Sequence, residues 1–175
     1  MDEPQLRYAE GPTTEAEVVI AAPPERVWAY VCDITTPARF STEFHGASWM
    51  DGATAAAVGA RFVGHNQHPA AGSWETTSTV TELEPNTVMA WRVGDVTLPS
   101  AEWRFTLTAV GQGTRLQQWM RIGPGRSGLS PAIDAMPDKE HKIIVRRLGE
   151  HHTNMQATLN GIRDLVEADN PPATF

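Results

Sequence analysis

At 175 residues the chain has room for one ordinary domain and not for two comfortable ones. No apolar run approaches the roughly 18 residues that span a bilayer, and the acidic, polar opening MDEPQLRYAEGPTTE does not read as a signal or transit peptide. With 14 Lys+Arg against 21 Asp+Glu the net charge is −7, which argues against nucleic-acid partners and anionic lipid surfaces; a single cysteine, Cys32, excludes an intramolecular disulfide and fits a cytoplasmic location.

Residues 1–14 read as a flexible, loosely docked arm, broken by Pro4, Gly11 and Pro12. Glu15–Ala21 is β-branched and weakly alternating, a strand. Pro23 and Pro24 end it and open a helix, and Val27, Trp28 and Val31 give that helix one apolar side to about Cys32. Asp33 closes it and reads as a structural cap. Thr36, Pro37 and Phe40 then supply a cap, a first-turn proline and a buried side for a second short helix.

From Phe44 to about Ile122 the apolar period becomes two. Strands are expected around 44–50, 58–67, 73–84, 87–95, 101–109 and 114–122, separated by the turn-forming stretches MDGA, HPAAG, EPN, DVTLPS and GQG. Connections this short require antiparallel neighbours, hence a meander. GPGRSGLSPAIDAMPDKE (123–140) lacks the Lys-Ser/Thr of a phosphate loop and reads as a mobile flap. From Asp138 to about Ala168, Ile144, Leu148, His152, Met155, Leu159, Ile162 and Val166 form one helical stripe, spaced 4, 4, 3, 4, 3 and 4. Pro171 and Pro172 end it, leaving 170–175 as a tail around a single domain at 15–169. The order implies an α+β fold: a curved antiparallel sheet of six or seven strands wrapped around a long C-terminal helix, with two short helices at one end of the curl.

Several segments resemble the polyketide cyclase/dehydrase and lipid-transport family of the START-like (Bet v 1-like, SRPBCC) superfamily. They are IAAPPERVWAYVCD at 20–33, VGARFVGHN at 58–66, WETTSTV at 74–80, MAWRV at 89–93, WRFTL at 103–107 and GTRL at 113–116. The resemblance implies a helix-grip fold enclosing a cavity for an apolar small molecule, aromatic polyketide-like or lipid-like. It implies a carrier or binding protein, or a cofactor-independent cyclase/dehydrase. The superfamily also holds chaperone activators, so an interaction module with a filled cavity is the alternative. Trp119, on the outward parity of its strand, would serve that module or a homodimer.

Strand parity then selects a lining. Trp49, Phe62, Trp74, Trp91, Trp103 and Met120 face inward on the sheet, and Met155 lies on the helical stripe. Three polar residues share those inward sets: Asn66, Gln118 and His152. A buried polar group without a partner costs about 1–3 kcal/mol, so these either orient a ligand's oxygens or bond to one another, to backbone or to trapped water. His152, placed near Asn66 and Gln118, is the candidate acid–base group, with a satisfied core histidine as the other reading. A metal site is not expected: His65 and His68 fall on opposite strand faces, and His151 and His152 lie about 100° apart on the helix. The basic residues of KIIVRR read as a solvated face or as intrachain ion pairs.

Overall fold

The computed structural model describes residues 4–169; the expected tail at 170–175 lies outside them. Seven strands form one antiparallel sheet: β1 (Thr13–Ile20), β2 (Phe44–Trp49), β3 (Arg61–His68), β4 (Gly72–Glu84), β5 (Val88–Gly94), β6 (Pro99–Val110) and β7 (Gly113–Ile122). Their spatial order is β1-β7-β6-β5-β4-β3-β2. β2 to β7 are thus the expected meander, and β1 joins it by pairing with the last strand. The long helix is α3 (Glu140–Ala168), and α1 (Pro24–Val31) follows β1.

Of the two short helices expected after β1, the second is a single 3₁₀ turn, Thr36–Arg39. Asp33 does cap locally: its Oδ1 accepts from the Thr35 N–H at 2.9 Å and hydroxyl at 2.7 Å. The 123–140 connection is not all loop, because Ser130–Ala135 forms a helix, α2, opened by Pro131. Six residues among Gly, Pro and Ser are too few for a helical period to show in the sequence.

The register carries inward parity from strand to strand. Trp91 faces Trp103, which faces Met120, and Phe105 faces Gln118, which faces Ala16. A bulge between Val80 and Glu82 resets β4, so Val80 and Leu83 both turn inward. The core forms where this concave face meets α3 and α1. Ile20, Leu116, Met120, Phe105 and Leu107 pack with Met155, Leu159, Ile162 and Val166 and with Val27 and Val31. α3 lies mainly along β1 and also touches β7, and α1 touches β6 and β7.

Two features tie the chain ends to this frame. The segment read as a loose arm bonds to the start of α3: the Leu6 N–H to His141 Nδ1 at 3.0 Å and the Tyr8 N–H to Glu140 Oε1 at 2.8 Å, while the Tyr8 hydroxyl donates to the Gly125 carbonyl. The free edge of β1 is covered by α3 side chains. His152 Nδ1–H donates to the Glu15 carbonyl at 2.9 Å, Gln156 donates to the Glu17 carbonyl at 3.4 Å, and Glu167 accepts from the Ala21 N–H at 2.9 Å. Covering an edge strand in this way removes a template for pairing with another chain.

Candidate functional site: an aromatic band between the sheet and α3

The concave side carries a continuous aromatic band. Trp49 on β2 meets Phe62 on β3 edge-to-face at 5.7 Å, and Phe62 meets Trp91 on β5 at 6.1 Å. Trp91 and Trp103 stack at 6.2 Å with 10° between their planes, and Phe105 lies 5.8 Å from Trp91. Period-two alternation on neighbouring strands produces this band, since rings of one parity end up side by side. Phe62 and Phe105 are buried, whereas Trp49, Trp91 and Trp103 keep accessible surface. That partly open surface makes the band the floor of the candidate site.

Two polar groups enter it. Gln118 on β7, 5 % exposed, stands across from Phe105, and its Oε1 has no hydrogen-bond partner among the described residues. An amide left so costs about 1–3 kcal/mol, which a core side chain of similar size would avoid. The second is His151 on α3, whose ring meets Trp103 edge-on at 5.3 Å. Burial pushes its imidazole down to about 3, with the Arg147 charge lowering it further and Glu150 opposing, so the ring is neutral across the ordinary pH range. The ring is only half-buried by surface area although protein surrounds it closely.

Beside the band runs an ion network. Arg147 bonds through both terminal nitrogens to Glu43, which is 8 % exposed, and through Nη1 to Glu150 at 3.0 Å. Glu150 reaches His68 Nε2 at 3.2 Å. Together with Thr42, which donates to Asn154 Oδ1 at 3.0 Å, these contacts tie the entry of β2 and the end of β3 to α3. A surface cleft of about 480 Å³ opens over this network, and a smaller one of about 270 Å³ lies by His152 at the β1 edge. Neither is lined by the aromatic band.

The structure thus separates the expected site residues. Trp49, Phe62, Trp91, Trp103 and Gln118 share the concave face around the band. Met120 shares that face too and Met155 meets it from α3, but both are fully packed into the core. Asn66 and Trp74 pair across the β3–β4 hairpin, and Asn66 makes one long contact, 3.5 Å, to the Thr76 hydroxyl. Asn66 and Gln118 are four strand steps apart, about 19 Å measured along the sheet. His152 does not point inward: it is exposed and spends its Nδ1–H on β1. The inward histidine is its neighbour. At 100° per residue, His151 and His152 fall about 50° to either side of the centre of the α3 stripe, so helical spacing accepts either one. Arg147, among the basic residues read as a solvated face or as intrachain ion pairs, makes the ion pairs. Among the described residues no group of three or more His, Cys, Asp or Glu side chains is arranged to hold a metal ion.

The profile of the family described as polyketide cyclase / dehydrase and lipid transport matches residues 12–166. The chain belongs to this family. Among solved structures, a Polyketide_cyc-like protein from Corynebacterium glutamicum is 31% identical, with a TM-score of 0.64 over 90% of this chain and 92% of that one. The Zhui aromatase/cyclase from Streptomyces sp. R1128 is 16% identical, with a TM-score of 0.64 over 93% and 97% of the two chains. Ara h 8.0201 is 13% identical, with a TM-score of 0.57 over 90% and 98%. At these identities the last two share the fold alone, the Bet v 1-like helix-grip. No curated protein sequence matches the chain. No helix among the described residues is long and apolar enough to cross a membrane.

Proposed function

We propose that this protein binds a hydrophobic, ring-containing small molecule between the aromatic band and α3. The observation that carries this reading is Gln118, a buried amide whose oxygen has no partner, set beside stackable rings. Apolar walls with one or two fixed polar groups are what small-molecule sites consist of. The band supplies the apolar area and the amide the orientation.

A cyclase or dehydrase reaction on such a ligand is the second reading. His151, an imidazole edge-on to Trp103, is the group placed to move a proton, although burial holds it at about 3 and so makes it a weak general base. The interaction-module alternative finds less support. The outer face of the sheet carries the Arg104–Glu82 and Arg121–Glu102 ion pairs, and among the described residues Val19 is the one large, strongly exposed apolar side chain on that face.

Tryptophan fluorescence titrated with fatty acids, sterols and polycyclic phenols tests the proposal. Saturable quenching by one class, weakened about tenfold in Gln118→Leu, is the expected result. No response to any class, with the variant folded, would return the interaction module to first place.

A further inference from the structure

The connection from β7 to α3, residues 123–139, has few bonds of its own to hold it down. Its start is tied to β6, where the Gly123 N–H donates to the Ser100 carbonyl at 2.8 Å and the Gly125 N–H to the Pro99 carbonyl at 2.7 Å. From Arg126 onward its bonds close on the segment itself. Arg126 pairs with Asp134, the Ser127 N–H donates to the Ser130 hydroxyl, and the Lys139 N–H donates to the Met136 carbonyl. Among the described residues no hydrogen bond or ion pair joins 126–138 to the sheet, and Leu129 is the side chain that packs against the core. A segment with so few outward contacts opens locally at small cost in free energy.

The N-terminal arm touches both ends of that segment. At the first end the Tyr8 hydroxyl donates to the Gly125 carbonyl at 2.5 Å, and the Tyr8 ring lies against Gly123, where an added Cβ would come within 2.9 Å of it. At the second end the Tyr8 N–H donates to Glu140 Oε1 at 2.8 Å, Arg7 Nη1 to Glu140 Oε2 at 2.9 Å, and the Leu6 N–H to His141 Nδ1 at 3.0 Å. Tyr8 alone therefore bridges the two hinges. It is placed there by the 3₁₀ turn Tyr8–Glu10, which ends on Gly11 at a φ of +63 against the Arg121 side chain of β7. None of residues 4–11 is buried, and Tyr8 is the one of them that packs against the core. Polar contacts that water can replace hold most of the arm, so it is able to let go while the core stays intact.

We infer that residues 4–11 are a releasable strap: by joining Gly125 to Glu140 they set how often the 123–139 segment opens, and their detachment frees it. Whatever draws the arm away then acts on α2 and on the first turn of α3 without disturbing the sheet. This inference does not depend on the binding reading above.

Hydrogen exchange of the full chain, followed amide by amide by NMR at pH 7, tests it. The reporters are the Ile133 and Met136 amides, which are bonded within the segment to the Leu129 and Ala132 carbonyls. Tyr8→Ala should speed their exchange about tenfold, and Tyr8→Phe, which keeps the ring and loses the bond to Gly125, about threefold. Arg7→Ala, which weakens only the hold on Glu140, should speed the same amides about twofold, although Arg7 does not touch them. Amides of β6 and β7 should be unchanged in all three. Circular dichroism confirms folding; if Tyr8→Ala does not fold, the two milder variants decide. Three results would overturn the strap. Unchanged exchange at Ile133 and Met136 would mean that the arm holds nothing. Acceleration confined to residues 140–144 would make the arm a cap for α3 only. Equal acceleration through β6 and β7 would make Tyr8 ordinary core packing.

Discussion

His151 and His152 are adjacent, and they live in different halves of the molecule. On the side of His152, α3 is closed against β1. Gln156 and Glu167 join it in bonding the strand's open edge, and Leu159 and Ile162 beneath are fully buried. On the side of His151, α3 meets Trp103 through one ring edge, the tryptophans keep open surface, and Gln118 keeps an unpaired oxygen. One side spends its polar groups on holding the fold together. The other leaves them unspent, which is a cost to stability of about 1–3 kcal/mol per buried group and the ordinary mark of a site.

That contrast can be broken most strongly on the closed side. Leu159→Ala should cost about 2–5 kcal/mol, because a side chain with no exposed surface leaves a cavity. Urea unfolding monitored by circular dichroism measures it. The same loss at partly open Trp103, by Trp103→Leu, should be smaller in stability and larger in ligand quenching.

The next largest effect is one of pH. His151 titrates at 6.5 when unfolded and at about 3 when folded, so between those values the unfolded chain holds the extra proton. Stability is therefore complete above pH 6.5 and falls as pH drops below it, with a limiting slope of about 1.4 kcal/mol per pH unit. Glu140 is held below its ordinary 4.5 by the Tyr8 N–H and Arg7; at Glu150 the upward push of burial is outweighed by Arg147 and His68. Both add acid sensitivity only below about 4.5, which leaves pH 4.5–6.5 as the window for His151. His151→Phe should flatten the stability curve there; an unchanged slope would mean that the ring is solvated.

A steric test follows. A Cβ at Gly161 would lie 2.3 Å from the Phe40 ring, so Gly161→Ala must displace the 3₁₀ segment that Phe40 pins to α3. Overpacking of this kind costs about 1–3 kcal/mol, offset in part by the better helix propensity of alanine. The smallest effect belongs to His152→Ala, which removes one exposed hydrogen bond. About 0.5–1 kcal/mol of stability should go, with ligand titrations unchanged. If that variant alters ligand binding as much as His151→Phe does, the division of α3 into two faces is wrong.

Most of the architecture was legible because its signals are local. Alternation through WRFTL and LQQWM assigns a face to each side chain whatever the rest of the chain does, and turns such as GQG allow only antiparallel neighbours. Gln118 was legible for the same reason, as a polar residue on an apolar parity. α2 was not, being too short to show a period, and neither was the docking of Leu6 and Tyr8 onto the start of α3, a contact across more than 130 residues.

The sequence by itself therefore determined the strands, the long helix, their order, and which residues share a face of the sheet. Each depends on a repeat or turn read over a few neighbouring residues. Only the tertiary structure decided how α3 is rotated about its axis and how far along the sheet it reaches. Those two quantities turned His152 to the strand edge, His151 to the aromatic band, and Arg147 onto Glu43. The physical reason is that an apolar stripe specifies the direction of a helix face only to within about half a turn of side chains. The last 50° are settled by packing against β1, with its open carbonyls at Glu15 and Glu17.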